Sequence, residues 1–536
     1  MGITPIWPEA TAFDKDGELT FHGHSAASLL DEFGSPLYLI DTDEVRVRAK
    51  KFVAAAAKAF NTNTTHVSFA GKAFLSKEIV RIVTQAGMHV DTCSMGEIKI
   101  ALAAGASGRR LVLHGNNKSD EEIELAIKEG FSKIVVDSPD EPARIAAIAH
   151  RLGKRARVML RVTSGIHAGG HEYISTAHED QKFGVPLLPA GVGAGILDIL
   201  GKLGNEKSKS GDGVASDSAS SASANTPYKP KLDYSVKYPY DTSHVKVSEE
   251  ERELAEAMNA VADGPALAVL KDIYKRQEDL ELVGIHSHIG SQIHDANAFI
   301  EAARRMMLLR KTFYATDAYT MPEVDLGGGY SVAYTDAEDS MDIDAELGRL
   351  AQAVTSINKA LGMPAPVISF EPGRWIVAPA GVTLYRVGTI KRVALPEGTK
   401  DSAGNPINER TYVSVDGGMS DNIRPALYGA DYTALLANRD CGGAKDENGN
   451  LKDSMLARVV GMHCESGDIL VHECRLPRDL KRGDILAVPV TGAYGRTMAS
   501  NYNQALIPAV VAVSDKDAHL MMRRQTIDDL LDLDVS

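Results

Sequence analysis

The sequence contains little cysteine, no long hydrophobic run and no excess of positive charge. Four cysteines in 536 residues (Cys93, Cys441, Cys464 and Cys474) are too few for a disulfide framework and favour a reducing compartment. No apolar run approaches the length of a membrane span, and the opening MGITPIWPEA lacks the basic and apolar regions of a signal peptide. The net charge of −14 argues against nucleic acid or an anionic membrane as a main partner. We therefore expect a cytoplasmic protein.

The length and composition predict a globular protein of two domains with one unusual segment. A chain of 536 residues with 44% hydrophobic and 24% charged residues exceeds the size of one ordinary core. Residues 208–226 contain seven serines and no apolar residue bulkier than Val214. This segment cannot bury enough apolar surface to offset its ordering entropy, so we predict a flexible surface insertion within a wider irregular region at about 189–266.

Eight short apolar segments, nearly all separated by helical patterns, predict parallel β-strands with helical crossovers. A cap at Thr42/Asp43 is expected to begin the first helix, and Ser138-Pro139 the helix after the fourth strand. The segments are HVSFA (66–70), HVD (89–91), RLVLH (110–114), KIVVD (133–137), RVMLR (157–161), LVGIHSH (282–288), EVDL (323–326) and VISFE (367–371). Eight such strands predict a (β/α)8 TIM-like barrel over residues 44–373.

The ends of the predicted strands carry the residues that chemistry would need, because barrel enzymes place their sites at the carboxyl ends of the strands. In chain order these ends carry Lys72, Asp91, His114, Asp137, Arg161, His288, the run Gly327-Gly328-Gly329, and Glu371. Any one of them is ordinary at the start of a polar loop. A lysine amine, a glycine run that lets backbone N–H groups approach a phosphate, and an acid for a ring nitrogen together favour pyridoxal 5'-phosphate (PLP) as cofactor.

After Glu371 the pattern changes to alternating or apolar runs broken by Gly, Asp and Pro. The runs are GVTLYRVGTIKRV, RTYVSVDGG, MLARVVGMHC, GDILVHEC and GDILAVPVTGAY. They predict a separate C-terminal β-domain over residues 374–536.

Several longer motifs resemble those of the fold-type III PLP-dependent decarboxylases and, within them, the diaminopimelate decarboxylase family. They are FAGKAF (69–74), HGNNKS (114–119), IHSHIGSQI (285–293), DLGGGYSVAY (325–334), EPGR (371–374), VDGGMSDNIRPALYGADY (415–432), CESGDIL (464–470) and TGAYGRTMASNYN (491–503). The resemblance runs from about residue 6 to the end, apart from the insertion. Phe69 and Phe74 depart from the tyrosine and asparagine usual beside the family's lysine. The family pattern also implies that residues 1–43 join the β-domain.

The resemblance implies a cofactor site. Lys72 would bind the PLP aldehyde covalently, and His288 would stack on the pyridine ring. Glu371 would pair with the pyridine nitrogen. The other implied cofactor-binding residues are Asp91, Arg161, Ser291, Gly327, Gly328, Gly329, Gly373, Arg374 and Tyr494.

The resemblance also implies a substrate site completed by a second subunit. Arg374, Arg424, Tyr428, Glu465 and Tyr494 would contact an amino-acid substrate with two carboxylates, for which arginine forks are well suited. In the family the turn with Cys464 reaches into the partner's barrel of a homodimer. The implied catalytic residues are therefore Lys72, His288 and Cys464, with the thiol as proton donor.

The stretch GMHCESGDILVHEC (461–474) allows other interpretations, because it holds two Cys, two His and two Glu. Zinc sites usually have paired ligands such as C-x2-C, and Cys464 and Cys474 have no such partners, so we expect no metal. Cys464 with His463 as base is unfavourable because neighbours on an extended chain point to opposite faces. We expect Cys474 to be buried and inert, and His463 and His472 to be packing or surface residues.

The resemblance implies decarboxylation of meso-2,6-diaminopimelate to L-lysine and carbon dioxide, the last step of bacterial lysine biosynthesis. One alternative is a related decarboxylase for ornithine, arginine or carboxynorspermidine, which would not need two arginines for a distal carboxylate. The other is a PLP-binding regulator without activity, which would have no use for a proton donor such as Cys464.

Overall fold

The computed structural model of the protein describes residues 3–61, 65–166, 181–203, 248–440 and 453–536. The serine-rich segment 208–226 and Cys441 lie outside these ranges. Within them, no helix combines the length and the apolarity that crossing a membrane requires.

The elements before the barrel form a small antiparallel sheet of three strands, a short helix, a strand of the β-domain and the helix that precedes the first barrel strand. They are β1 (Thr11–Phe13), β2 (Leu19–Phe21), β3 (His24–Ser25), α1 (Ala26–Phe33), β4 (Leu37–Asp41) and α2 (Thr42–Phe60). The cap of α2 lies one residue earlier than predicted. The Asp41 carboxylate, at the end of β4, accepts from the N–H groups of Asp43 and Glu44, which leaves Thr42 as the first helical residue.

Eight parallel strands close into a barrel, as the sequence predicts. They are β5 (Thr65–Ala70), β6 (His89–Thr92), β7 (Leu111–Leu113), β8 (Lys133–Val136), β9 (Ala156–Thr163), β11 (Leu280–His286), β12 (Glu323–Asp325) and β13 (Val367–Phe370), with the short β10 (Val185–Pro186) added beside β9. Pairing of β8 with β9 and of β13 with β5 completes the ring. The carboxyl ends of all eight strands therefore meet at one mouth of the barrel.

Helices surround the barrel between its strands. They are α3 (Lys77–Gln85), α4 (Met95–Ala103), α5 (Asp120–Glu129), α6 (Glu141–Arg151), α7 (Ile199–Leu203), α8 (Glu249–Ala262), α9 (Pro265–Lys275), α10 (Asn297–Asp317), α11 (Ile343–Ala360) and α12 (Arg374–Val377). Ser119 and Glu122 form the capping box of α5. The prediction for α6 is wrong by two residues, because the proline that occupies its first turn is Pro142 and its N-cap is Asp140.

A second, nine-stranded sheet forms the β-domain. Besides β4 it contains β14 (Gly381–Ala394), β15 (Glu409–Val415), β16 (Leu435–Leu436), β17 (Ser454–Val460), β18 (Ile469–Pro477), β19 (Ile485–Pro489), β20 (Ala509–Val513) and β21 (Ala518–Met522), with helices α13 (Arg424–Tyr428) and α14 (Ile527–Leu531). The N-terminal β4 lies between β14 and β20, which confirms that the N-terminal segment completes this sheet. The domain limits 1–43, 44–373 and 374–536 stay predictions.

Candidate active site

Lys72 lies at the mouth of the barrel, in a short 3-10 turn over Gly71–Ala73 that follows β5. The β-domain holds this turn from outside. The backbone N–H of Tyr494 donates to the carbonyl oxygen of Ala73 at 2.9 Å, and the Thr497 hydroxyl donates to the same oxygen at 3.1 Å. A backbone hydrogen bond from the β-domain thus places Tyr494 next to the turn that carries Lys72.

A cavity of about 160 Å³ opens next to Lys72 and is lined by five of the twelve predicted cofactor residues. It is lined by Ala70, Gly71, Lys72, Asp91, Thr92, Cys93, His114, Gly115, Arg161, Phe183, His286, His288 and Glu371. The Arg161 guanidinium carbon lies 4.4 Å from the centroid of the Phe183 ring. The structure therefore brings together five residues that the sequence singles out for the cofactor, namely Lys72, Asp91, Arg161, His288 and Glu371.

Glu371, at the end of β13, lies between two histidines. Nε2 of His286 donates to its Oε2 at 3.1 Å, and Nε2 of His114 is 3.0 Å from its Oε1. Burial raises the pKa of Glu371, but the two histidines outweigh burial and lower it well below its ordinary value. Glu371 is therefore an anion inside the cavity.

Asp91 is the second acid of this cluster. Its Oδ1 lies 3.8 Å from Nε2 of His114, and neither carboxylate oxygen has a hydrogen-bond donor in the described part of the chain. Burial, and then the charge of Glu371, raises its pKa to about 7. Burial lowers the pKa of His114, but the attraction of Glu371 and Asp91 prevails and raises it to about 9. The cluster thus combines one firm anion, one weak acid and one cationic imidazole.

His288 presents a half-buried, neutral imidazole to the cavity. Burial, followed by repulsion from Lys72 and Arg161, lowers its pKa well below 6.5. Its Nδ1 accepts a hydrogen bond from the backbone N–H of Gly328 at 3.2 Å. An uncharged flat ring at this position can pack against an aromatic cofactor.

The glycine run after β12 has no room for side chains. A Cβ on Gly328 would overlap the carbonyl oxygen of Glu371, and Gly329 has a φ of +123°, which other residues rarely adopt. The N–H groups of Gly327 and Gly328 already donate to Asp325 and His288. The run is therefore packed closely against the backbone of neighbouring segments, and it does not line the cavity of Lys72.

Two arginines lie together without acidic partners. Arg374 donates to the hydroxyls of Tyr334 and Ser291, the latter at 3.0 Å, and its guanidinium carbon is 4.7 Å from the centroid of Tyr494. Arg424 donates to the hydroxyl of Tyr432, and its guanidinium carbon is 4.3 Å from the centroid of Tyr334. We call Arg374 and Arg424 the arginine pair.

The arginine pair is prepared for an anion. Arg424 is only 5% exposed, and the Nε atoms of both residues are buried without a hydrogen-bond partner among the described residues. No carboxylate in the described ranges lies within 4.0 Å of either guanidinium. Because a buried cation without a counter-ion is costly, the geometry favours a carboxylate or phosphate ligand between them.

The remaining predicted site residues do not line this cavity. Gly373 precedes Arg374 at the start of α12, and Tyr428 is the half-buried last residue of α13. Cys464 and Glu465 are exposed in the turn between β17 and β18 and do not line the cavity of Lys72. A single chain therefore brings neither of them to Lys72.

The two halves of residues 461–474 lie in different environments. His463 is buried, and its ring nitrogens contact the Ser420 hydroxyl at 2.8 Å and the Asn503 side-chain oxygen at 3.2 Å. Cys474 is buried in β18, where burial raises the pKa of its thiol to about 12. The expectations of a packing role for His463 and an inert Cys474 agree with this arrangement.

Sequence reasoning missed several residues of the site. They are Cys93, Phe183, His286, Tyr334 and Tyr432, and His114 was noted only as a strand end. The alternation in IHSH carries one usable signal, since residues two apart on a strand share a face and His286 lies two before His288. The buried tyrosines had no such signal, because they are indistinguishable from core residues.

The cavity fits PLP in charge and shape. The exposed Lys72 amine can bind an aldehyde, and Glu371 keeps an acceptor oxygen without a hydrogen-bond donor among the described residues for a protonated ring nitrogen.

Comparisons with known proteins agree with this site. The family model for the pyridoxal binding domain of pyridoxal-dependent decarboxylases matches residues 46–193 and 260–378. The diaminopimelate decarboxylases of Corynebacterium efficiens and Mycobacterium tuberculosis are each 37% identical to this chain, over 530 and 536 residues, 99% of this chain and 94% and 98% of theirs. The structure of diaminopimelate decarboxylase from M. jannaschii in complex with L-lysine has a TM-score of 0.72 at 25% identity, covering 98% of both chains.

The barrel, its lysine and its acid cluster define the class as a PLP-dependent decarboxylase with a (β/α)8 barrel and a β-domain. Among proteins of this class, the chain is 37% identical over nearly its full length to the two diaminopimelate decarboxylases above. The chain belongs to the diaminopimelate decarboxylase family.

Proposed function

We propose that the protein decarboxylates meso-2,6-diaminopimelate to L-lysine and carbon dioxide with PLP as cofactor, as the last step of lysine biosynthesis. The observation that carries this proposal is the arginine pair. Arg424 is buried and Arg374 half-buried, neither has an acidic partner among the described residues, and Arg374 contacts Tyr494 next to the Lys72 turn. Such a pair suits a substrate with a second carboxylate far from the reacting carbon. Ornithine and arginine have no such distal carboxylate, so the pair disfavours those substrates.

When bound, PLP would supply the electron sink for the pair of electrons that the departing carboxylate leaves behind. Lys72 would hold its aldehyde, and Glu371 would hold the proton on its ring nitrogen. His288 would support the ring by stacking. The arginine pair would bind the distal carboxylate and so fix which carboxylate faces the reacting position.

The proton donor and the distal ammonium partner would come from a second copy of the chain. Cys464 and Glu465 are exposed, the neighbouring Met462 is 53% exposed, and Tyr502 beside His463 is 40% exposed. Exposed apolar residues around a turn with two reactive groups favour a covered surface. We propose a homodimer in which Cys464 donates a proton to the decarboxylated carbon of the partner's site and Glu465 binds the distal ammonium.

The proposed setting is the cytoplasm, with a small amino acid as ligand and no nucleic-acid or membrane partner. The net charge of −14 and the small number of cysteines support it.

Incubation with meso-diaminopimelate tests the function directly. We expect equimolar L-lysine and carbon dioxide, no product from ornithine, arginine or carboxynorspermidine, and no activity in Lys72→Ala. Turnover of ornithine at a comparable rate would contradict the substrate assignment. A protein that binds PLP and converts none of these compounds would instead be a regulator.

Mixing inactive variants tests the shared site. Cys464→Ala is expected to lower turnover roughly 10²–10⁴-fold, the usual size of a general-acid contribution, while PLP stays bound. Cys464→Ala subunits mixed with Lys72→Ala subunits should regain activity, because some heterodimers contain one intact site. Cys474→Ala is the matched control and should keep full turnover. Full activity of Cys464→Ala, or no recovery on mixing, would contradict the proposed role.

A further inference from the structure

The two histidines that contact Glu371 have no assigned role, and both are held firmly. His286 is the last residue of β11 and is 1% exposed. His114 follows β7, and its backbone N–H donates to the carbonyl oxygen of Thr92 at 2.8 Å. Their ring centroids are 5.2 Å apart with planes at 62°. The imidazoles therefore approach Glu371 from two different strands.

Each histidine contacts a different oxygen of the same carboxylate. His286 Nε2 is 3.1 Å from Oε2, and His114 Nε2 is 3.0 Å from Oε1. The Glu371 backbone N–H donates to the carbonyl oxygen of Gly327 at 2.9 Å. With its backbone and Oε2 hydrogen-bonded and Oε1 in contact with a second imidazole, the carboxylate has little freedom to rotate away from the cavity.

Two other buried carboxyl groups lie near Glu371, and the ionisation of each one disfavours the ionisation of the others. Asp91 is near His114, and Asp325 lies behind the glycine run with Lys133 at 3.2 Å. Burial, and then repulsion from Glu371, raises the pKa of both aspartates, whereas the pKa of Glu371 is lowered. Three buried carboxylates near one another cannot all ionise readily, so the imidazoles decide which one does.

We propose that His286 and His114 are positioning residues that hold Glu371 through a hydrogen bond to Oε2 and a close contact with Oε1, and that concentrate the negative charge of the acid cluster on that carboxylate. This inference rests on the proposed PLP function, in which Glu371 must stay anionic to hold the proton of the pyridine nitrogen. His286 provides a directed hydrogen bond to Oε2. His114 contacts both Glu371 and Asp91 and provides positive charge beside them.

Substitutions can separate the hydrogen bond from the charge. His286→Leu removes the donor to Oε2, whereas His286→Gln keeps an N–H in its place. His114→Gln keeps a polar side chain beside Oε1 but cannot carry a positive charge. His66→Gln is the matched control, because His66 lies at the opposite end of the barrel strands, 3.5 Å from Glu323.

The measurements are the Kd of the apo-protein for PLP, by absorbance titration, the spectrum of the bound cofactor and the melting temperature of the apo-protein. We expect His286→Leu to raise the Kd roughly 10–100-fold, the usual cost of removing a partner that orients a ligand group. His286→Gln should recover most of the affinity. His114→Gln should shift the spectrum towards an unprotonated ring, and His66→Gln should change neither the Kd nor the spectrum.

Two results would overturn the inference. One is the combination of two findings: the Kd of His286→Leu for PLP stays within about twofold of the wild-type value, against the expected rise of roughly 10–100-fold, and the spectrum of His114→Gln is unchanged. The other is an equal loss of affinity in His66→Gln, which would indicate general destabilisation. In both cases the wild-type protein still binds PLP, so the proposed function stands; a wild-type protein that binds no PLP refutes the function itself.

Discussion

Replacement of Arg424 by methionine tests the substrate assignment most directly, because Met keeps the apolar length of the side chain and removes the guanidinium. Arg424 is buried, donates to Tyr432 and lies 4.3 Å from the ring centroid of Tyr334. A hydrogen bond to a charged group contributes about 1.5–3 kcal/mol. At about 1.4 kcal/mol per factor of ten, kcat/KM for meso-diaminopimelate should fall roughly 10–100-fold.

The assay compares ligands with and without the distal carboxylate. The product L-lysine keeps that carboxylate, so Arg424→Met should weaken inhibition by L-lysine by a factor similar to the loss in kcat/KM. Pentane-1,5-diamine lacks any carboxylate and should inhibit the variant and the wild type equally. The Kd for PLP should not change, because Arg424 does not line the cavity of Lys72.

Arg478→Met is the matched control in the same domain. Arg478 is about half exposed and pairs with the exposed Asp453, so its loss should leave kcat/KM unchanged. Our reasoning is refuted if L-lysine inhibits Arg424→Met as strongly as it inhibits the wild type. It is also refuted if the only defect of the variant is the loss of PLP.

Four further experiments test other parts of the site. Borohydride reduction of the PLP-loaded protein and peptide mapping should place the pyridoxyl label on Lys72, and label on another lysine would contradict the site. Tyr334→Phe removes the hydroxyl that is hydrogen-bonded to Arg374. Because one hydrogen bond contributes about 0.5–1.5 kcal/mol, KM should rise several-fold. Measuring kcat in parallel shows whether only binding changes. Deletion of residues 208–226 should leave turnover and melting temperature nearly unchanged because loop length affects closure entropy weakly; a large loss of turnover would show a functional segment. Extended dialysis against a chelator should leave activity intact, and its loss would indicate a metal at the acid cluster.

The barrel was predictable because its strands are buried on both faces and therefore form continuous apolar runs. The eight runs found in the sequence correspond to the eight strands, within two residues at each end. The helix starts were harder. The cap of α2 is Asp41, which is also the last residue of β4. Before α6 the sequence offers two possible caps, Ser138 with Pro139 and Asp140 with Pro142, and only the folded backbone selects the second.

The site was predictable where the chemistry needs an unusual residue at a strand end, as at Lys72 and Glu371. It was not predictable where contacts form between distant segments. The stacking of Arg424 on Tyr334 joins the β-domain to the loop after β12, and the sequence gives no sign that these residues meet. The contact of the Tyr494 backbone with Ala73 is of the same kind, since any residue can supply a backbone N–H.

The position of β4 between β14 and β20 has a consequence for synthesis on the ribosome. Residues 37–41 leave the exit tunnel early, but both of their neighbours in the sheet are made only after the last barrel strand. Each barrel strand pairs with the next barrel strand along the chain, and the ring closes once β13 is made, so the barrel can assemble while the chain is still growing. By contrast, β4 must wait, unpaired, for residues 381–394 and then 509–513. A nascent chain halted before residue 509 would expose the β4 edge, so premature termination should yield aggregation-prone fragments even when the whole barrel has been translated.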